Sequence, residues 1–338
     1  MLYFIFILLC FLVLIAYAVA ILHAVEGWQK RDWFVSQNGK CLDLSDITII
    51  IPIRTDKKIV IPDLPVAIVI VDDHNNRSLE VVGGANVRVI KNTYPQGKKH
   101  ALRCGIEFAK TKYVITTDCD TVLTTEWLQT IRAYILDHQP DMLIMPLKMR
   151  EPHSLFDALQ ETEYVALQTL TGGYAIAGSP IMCSGANLLV LRERWLDCWD
   201  DIMPNVASGD DMFMLHSFKR QGLKIDFLKS PLAALEIEPA RTIKDLFRQR
   251  TRWAGKAGYY HDGETILVGA LVILANLAVL TFPPFVLIKW IIDLTLLWAS
   301  DRFFGFKHAL LKSLALSVVY PFYILITLIM IPFRKNQW

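Results

Sequence analysis

The chain has 338 residues, 53% of them hydrophobic, and a formal net charge of only +2. That length allows one large or two ordinary domains, so apolar a composition exceeds what an ordinary soluble protein carries, and the near-neutral balance excludes a global basic field for nucleic acid. Six cysteines, at 10, 41, 104, 119, 183 and 198, form no C-x-x-C pair and no cluster with histidine, which argues against a zinc site and for a reducing compartment.

Met1 to Leu22 contains no charged residue, and a helix of that length reaches about 33 Å against about 30 Å of bilayer hydrocarbon. A membrane anchor is expected. Ala18-Val19-Ala20 resembles a signal-peptide cleavage site, but there is no basic segment before the apolar run and the run is long. Lys30 and Arg31 follow soon after, placing the downstream residues in the cytoplasm by the positive-inside tendency.

From Ile47 the pattern turns α/β. Apolar runs at 47–54, 66–71, 87–90 and 113–117 suit buried, largely parallel strands, and residues 98–109 carry a helical pattern after Gly97. These make a doubly wound module, which binds ligands beyond the carboxyl ends of its strands. The second strand ends in Asp72-Asp73-His74-Asn75, and the fourth in Asp118-Cys119-Asp120. If strand geometry persists through Asp118 and Asp120, both carboxylates point to one side and share a hard cation such as Mg²⁺ or Mn²⁺. A solvated turn fits the D-x-D spacing equally well. Gly97 and Lys98 could meet a phosphate through a helix N-terminus and a point charge.

Residues 151–177 form an amphipathic helical pattern, suited to core or interface. Ser184-Gly185-Ala186-Asn187 is a small-residue patch that would let a substrate approach the backbone, or a simple tight turn. In Gly209-Asp210-Asp211 one acid is expected to cap a helix and leave the other free as a base. Residues 241–260 are locally basic, and within them Gln249, Arg252 and Trp253 stand at i, i+3 and i+4, one helical face. Apolar runs at 265–280 and 285–300, split by Phe282-Pro283-Pro284, precede a last span at 313–333. Lys289 and Asp293, at i and i+4, are positioned to pair within a bundle. Arg334-Lys335 would lie outside after three C-terminal crossings, leaving two or three open.

Val71-Asp72-Asp73, Asp118-Cys119-Asp120, Ser184-Gly185-Ala186-Asn187, Gly209-Asp210-Asp211 and Gln249-Arg250-Thr251-Arg252-Trp253 stand in fixed order. Together they resemble membrane-embedded family 2 glycosyltransferases, the group of the cellulose, chitin and hyaluronan synthases and the ceramide glucosyltransferases. The resemblance implies an α/β GT-A domain, Rossmann-like, over 45–240. Around it are expected an N-terminal transmembrane helix over 1–25, an interfacial basic helix over 241–262 and a C-terminal membrane region over 263–333.

It implies an inverting transferase with a nucleotide-diphosphate sugar as donor, a UDP-sugar first, a lipid or glycan acceptor, and Mg²⁺ or Mn²⁺. No haem, flavin or nucleic acid is expected. Asp72, Asp73, Lys98 and Asp118 would hold the donor, and Asp120 with Asp118 the metal. Gly185, Asn187 and Asp210 would line the acceptor, Asp211 would deprotonate its hydroxyl, and Gln249, Arg252 and Trp253 would close on the diphosphate and acceptor. Gly-Asp-Asp departs mildly from the Thr-Glu-Asp of many relatives, and few spans argue against a long secretion channel. A processive polysaccharide synthase and a non-catalytic membrane scaffold are the competing readings.

Overall fold

The computed structural model describes residues 1–36, 43–54, 58–74, 79–95, 97–203, 206 and 208–333. Cys41, Asn75 and the Arg334-Lys335 pair lie outside them. In chain order the elements are α1 (Leu2–Gln29), β1 (Ile47–Ile53), β2 (Ile59–Val60), β3 (Ala67–Asp72), β4 (Val81–Val82), β5 (Val87–Lys91), α2 (Lys98–Phe108) and β6 (Tyr113–Thr117). There follow α3 (Thr125–His138), β7 (Met142–Ile144), β8 (Leu147–Met149), α4 (Leu155–Ile176), β9 (Asn187–Leu191), α5 (Arg192–Asp197), α6 (Asp210–Arg220), β10 (Ile225–Phe227) and β11 (Leu235–Ile237). The chain closes with α7 (Ile243–Ala254), α8 (Gly263–Thr281), α9 (Phe285–Phe304) and α10 (Ala309–Met330). These divide into an α/β unit that includes Asp32–Leu147 and Met182–Ile237, and a helical unit of Met1–Arg31, Lys148–Ile181 and Glu238–Asn336.

The α/β unit is built on a seven-stranded sheet in the order β10-β7-β9-β6-β1-β3-β5. Its parallel half follows from composition: all seven residues of β1 and all five of β6 are buried, so neither strand shows the alternation of a one-faced sheet. The register sets Ile53 opposite Asp72 and Asp72 opposite Lys91, so β1, β3 and β5 end along one edge. Strand β9 runs antiparallel between β6 and β7, with Asn187 opposite Thr117. The turn before β9 therefore arrives at the edge where β6 stops. Mixed direction at β9, and the three-residue strands β7 and β10, are findings beyond the parallel strands expected from the apolar runs.

In the helical unit, three helices among the described residues are long and apolar enough to cross a membrane: Tyr3–Gln29, Gly263–Thr281 and Ala309–Phe333. Helix α9 is of similar length but carries Lys289, Asp293, Asp301 and Arg302. Helix α4 belongs to this unit, although its residues fall inside the 45–240 span assigned above to the α/β domain. Its crossing with α1 is close, since a Cβ at Gly173 would lie 2.1 Å from the Ala24 carbonyl oxygen. Only small residues allow backbones to approach so nearly. Lys289 and Asp293 pair as expected, with Nζ 2.5 Å from Oδ2, and the Tyr17 hydroxyl donates to the other carboxylate oxygen at 2.6 Å.

Candidate active site

At the end of β3 the two aspartates do different things. Asp73 is only 1% exposed, and its carboxylate accepts from the Asn92 amide at 2.7 Å and from the Gly97 backbone N–H at 3.0 Å. Asn92 follows directly on β5, so Asp73 ties two strand ends to the N-cap residue of α2. Asp72 accepts from the His74 N–H at 3.0 Å and is 5% exposed. Asn92 had no signal in the sequence beyond being polar at a strand end.

Strand β6 stops at Thr117, one residue before the acids. The Thr121 hydroxyl donates to the Asp118 carbonyl at 2.8 Å, so Asp118 to Thr121 form a turn. The alternation of a strand therefore does not set where Asp118 and Asp120 point, which corrects the condition under which they were expected to share one side. Asp118 is half-buried and Asp120 exposed.

Lys98, the first residue of α2, donates to Asp118 at 2.7 Å. Burial alone would pull its pKa down, but Asp118, Asp210 and Asp211 outweigh it and hold the ammonium well above the ordinary lysine range. Asp118 of the β6 turn pairs with this ammonium directly, and the α6 acids act on it through their charge. Helix α6 starts at Asp210 with Gly209 as its cap residue at φ 93°. Asp210 and Asp211 both sit in the first turn, where carboxylates face the positive end of the helix. Neither is the capping residue, contrary to the expected division between a cap and a free base.

Asp211 reaches back to the turn before β9. Its Oδ2 accepts from the Gly185 N–H at 3.2 Å and its Oδ1 from the Met212 N–H at 2.8 Å. The Gly185 carbonyl in turn accepts from the Thr116 hydroxyl at 2.8 Å. A Cβ at Gly185 would lie 3.3 Å from an Asp210 carboxylate oxygen, so the small residue keeps the two acids and the turn in close company. Asn187 does not line this space. It is fully buried, donating to the carbonyls of Pro146 and Ala233 at 2.8 and 2.9 Å and accepting from the Trp127 indole at 3.2 Å. Three of its four hydrogen-bonding positions are used internally, so its expected contact with an acceptor is replaced by a structural role.

Among the described residues no three His, Cys, Asp or Glu side chains gather as a metal cage. Asp118 and Asp120 nonetheless offer the hard oxygen donors that suit Mg²⁺ or Mn²⁺ when diphosphate and water supply the other positions. Asp120 is the more exposed of the two.

In the helical unit, α7 carries the Gln-Arg-Thr-Arg-Trp run, capped by the Thr242 hydroxyl, which accepts from the Asp245 N–H at 3.1 Å. Its two arginines differ. Arg250 is buried against Glu163 of α4, Nη2 to Oε2 2.6 Å, and lies 4.3 Å from the Trp253 ring centre. Arg252 is half-exposed and forms no ion pair among the described residues.

Residues 56–195 match the family model described as Glycosyl transferase family 2. No curated protein matches the sequence. Among solved structures, the chain is similar to the mannosyltransferase PcManGT from Pyrobaculum calidifontis, solved in complex with GDP-Man and Mn²⁺. The two are 14% identical with a TM-score of 0.54, over 95% of this chain and 98% of that one. It is also similar to S. aureus TarS 1-349, at 14% identity and a TM-score of 0.37, over 81% of this chain and 91% of that one. The likeness to PcManGT shows a shared GT-A fold.

Proposed function

We propose that this chain, a glycosyltransferase with a family 2 domain, moves a sugar with inversion from a nucleotide-diphosphate donor to a lipid or glycan hydroxyl at the cytoplasmic membrane face. The observation that carries the reading is the gathering at one sheet edge of Asp118, paired with Lys98 at 2.7 Å, and of Asp210 and Asp211 beside Gly185. In this reading Asp72 receives the base or ribose, while Asp73 holds the β3 and α2 ends in place. Lys98 and Asp118 position the diphosphate, and the acceptor approaches over Gly185 beside Asp210.

Asp211 takes the proton of the acceptor hydroxyl as that oxygen bonds to the anomeric carbon, and the diphosphate departs with the electron pair of the broken C–O bond. A divalent cation bound at Asp120 and Asp118 would supply positive charge to the leaving group. Gln249, Arg252 and Trp253 are assigned to diphosphate and acceptor from the order of motifs. The guanidinium of Arg252, which forms no ion pair among the described residues, suits an anion, whereas Arg250 is committed to Glu163. The cytoplasmic side rests on Lys30 and Arg31 following the first apolar helix.

The test is transfer by purified full-length protein with a panel of UDP- and GDP-sugars, membrane lipid extract and Mn²⁺ or Mg²⁺, with products identified by mass spectrometry. A single-sugar product on a lipid supports the reading. A ladder of oligosaccharides points to processive synthesis, and transfer unchanged in Asp211→Asn would sink the mechanism.

A further inference from the structure

Arg250 is not among the residues assigned above to donor or acceptor, yet it is buried and three of its nitrogens are engaged. Its Nε and Nη2 both donate to Glu163 Oε2, at 3.2 and 2.6 Å, and its Nη1 donates to the Gln249 side-chain oxygen at 2.7 Å. Its guanidinium lies 4.3 Å from the centre of the Trp253 ring. The Tyr320 hydroxyl of α10 donates to the remaining Glu163 oxygen at 3.4 Å. Both charged side chains are under 10% exposed, at 6% and 8%.

A buried ion pair of this kind is poor value as a stabiliser, because removing both charges from water offsets most of their attraction. What it supplies is direction. A planar guanidinium bound through Nε and Nη2 to one carboxylate oxygen and through Nη1 to Gln249 is restricted in rotation, which restricts the two groups beside it as well. Those groups are Gln249 and Trp253.

We infer that Arg250 and Glu163 are positioning residues that fix the Gln249 amide and the Trp253 indole for the transfer reaction. The inference deepens the function proposed above and rests on its assignment of Gln249 and Trp253. Lysine at 250 would keep the charge opposite Glu163 but cannot also reach Gln249 and lie flat on the indole. The pair of arginines in the motif then divides the labour: Arg252 meets an anion, and Arg250 sets its neighbours.

The experiment is a double-mutant cycle in the full-length protein, read by single-turnover transfer from radiolabelled donor, with thermal unfolding followed in parallel. Arg250→Lys is measured in the wild-type background and in Gln249→Ala and Trp253→Ala backgrounds; if it fails to fold, Glu163→Gln replaces it. The expected result is a fall of about 10–100-fold in turnover, the scale of a misplaced group, with donor KM little changed. That fall shrinks or vanishes where Gln249 or Trp253 is already gone. An equal fall in all backgrounds, or no fall in the wild type, overturns the positioning role and leaves the parent reading intact. Unimpaired transfer by Gln249→Ala and Trp253→Ala would overturn both.

Discussion

A carboxylate buried at a strand end is either a ligand or a rivet, and its partners decide which. Asp73 accepts from an amide and a backbone N–H and is sealed from solvent, so its loss should register as instability before lost chemistry. We expect Asp73→Ala to cost about 1–3 kcal/mol, the desolvation scale of stranded buried partners, read by chemical denaturation. Asp211→Asn should instead keep the fold and lower turnover by about 10²–10⁴-fold, the range for a lost general base, in steady-state assays. Lys98 sets a pH boundary. Because its folded pKa lies above the ordinary value, its charge pairing is complete below that value and fades only as pH rises through the higher one. The rate–pH profile should therefore show no alkaline limb from Lys98 below about pH 10; a limb near pH 8 that Lys98→Met abolishes would contradict this. The sequence presented Asp72, Asp73, Asp118, Asp120, Asp210 and Asp211 as acids near strand and helix ends. It could not separate rivet from ligand, since that depends on Asn92 and Gly97 arriving from elsewhere.

Among elements, those with many buried apolar positions were legible and those decided by a single backbone angle were not. Strands β1, β3, β5 and β6 and helix α2 lie within a residue or so of where the apolar runs predict them. The direction of β9 was hidden, because an apolar run reads the same either way along a sheet. The start of α6 was hidden too: Gly209 at φ 93° turns the chain into the helix, so the acids fall in its first turn rather than at its cap. Helix α9 shows the opposite case, its Lys289–Asp293 pair following from i,i+4 spacing. With Lys289 only 2% exposed, Asp293→Ala leaves a buried ammonium against two tyrosine rings and should cost about 3–5 kcal/mol. Thermal unfolding in detergent checks it, and Lys289→Met combined with Asp293→Leu should recover most of the loss.

For the whole molecule, helices long and apolar enough to cross a membrane were legible from composition alone, because the apolar excess concentrates in α1, α8 and α10. The membership of α4 was not, since its run of Gln160, Glu161, Thr162 and Glu163 reads as a surface and is buried. Its polar groups are matched by distant ones: Arg250 at Glu163 and Lys312 at Glu161, 2.6 Å from Oε2. Chelation of divalent metal should abolish transfer and added Mn²⁺ or Mg²⁺ restore it, with nucleotide binding followed separately by calorimetry. Retained transfer in excess chelator would remove the assignment of Asp118 and Asp120. The β6–β9 pairing carries a consequence for synthesis. Thr117 leaves the ribosome well before its partner Asn187, with all of α4 between them. At about 5–20 residues per second that interval is on the order of 4–14 s, during which the half-made sheet has at its open edge a strand whose five residues are all buried in the finished fold. Nascent chains arrested before Asn187 should therefore recruit chaperones or be cut readily by protease, and chains arrested well past Leu191 should not.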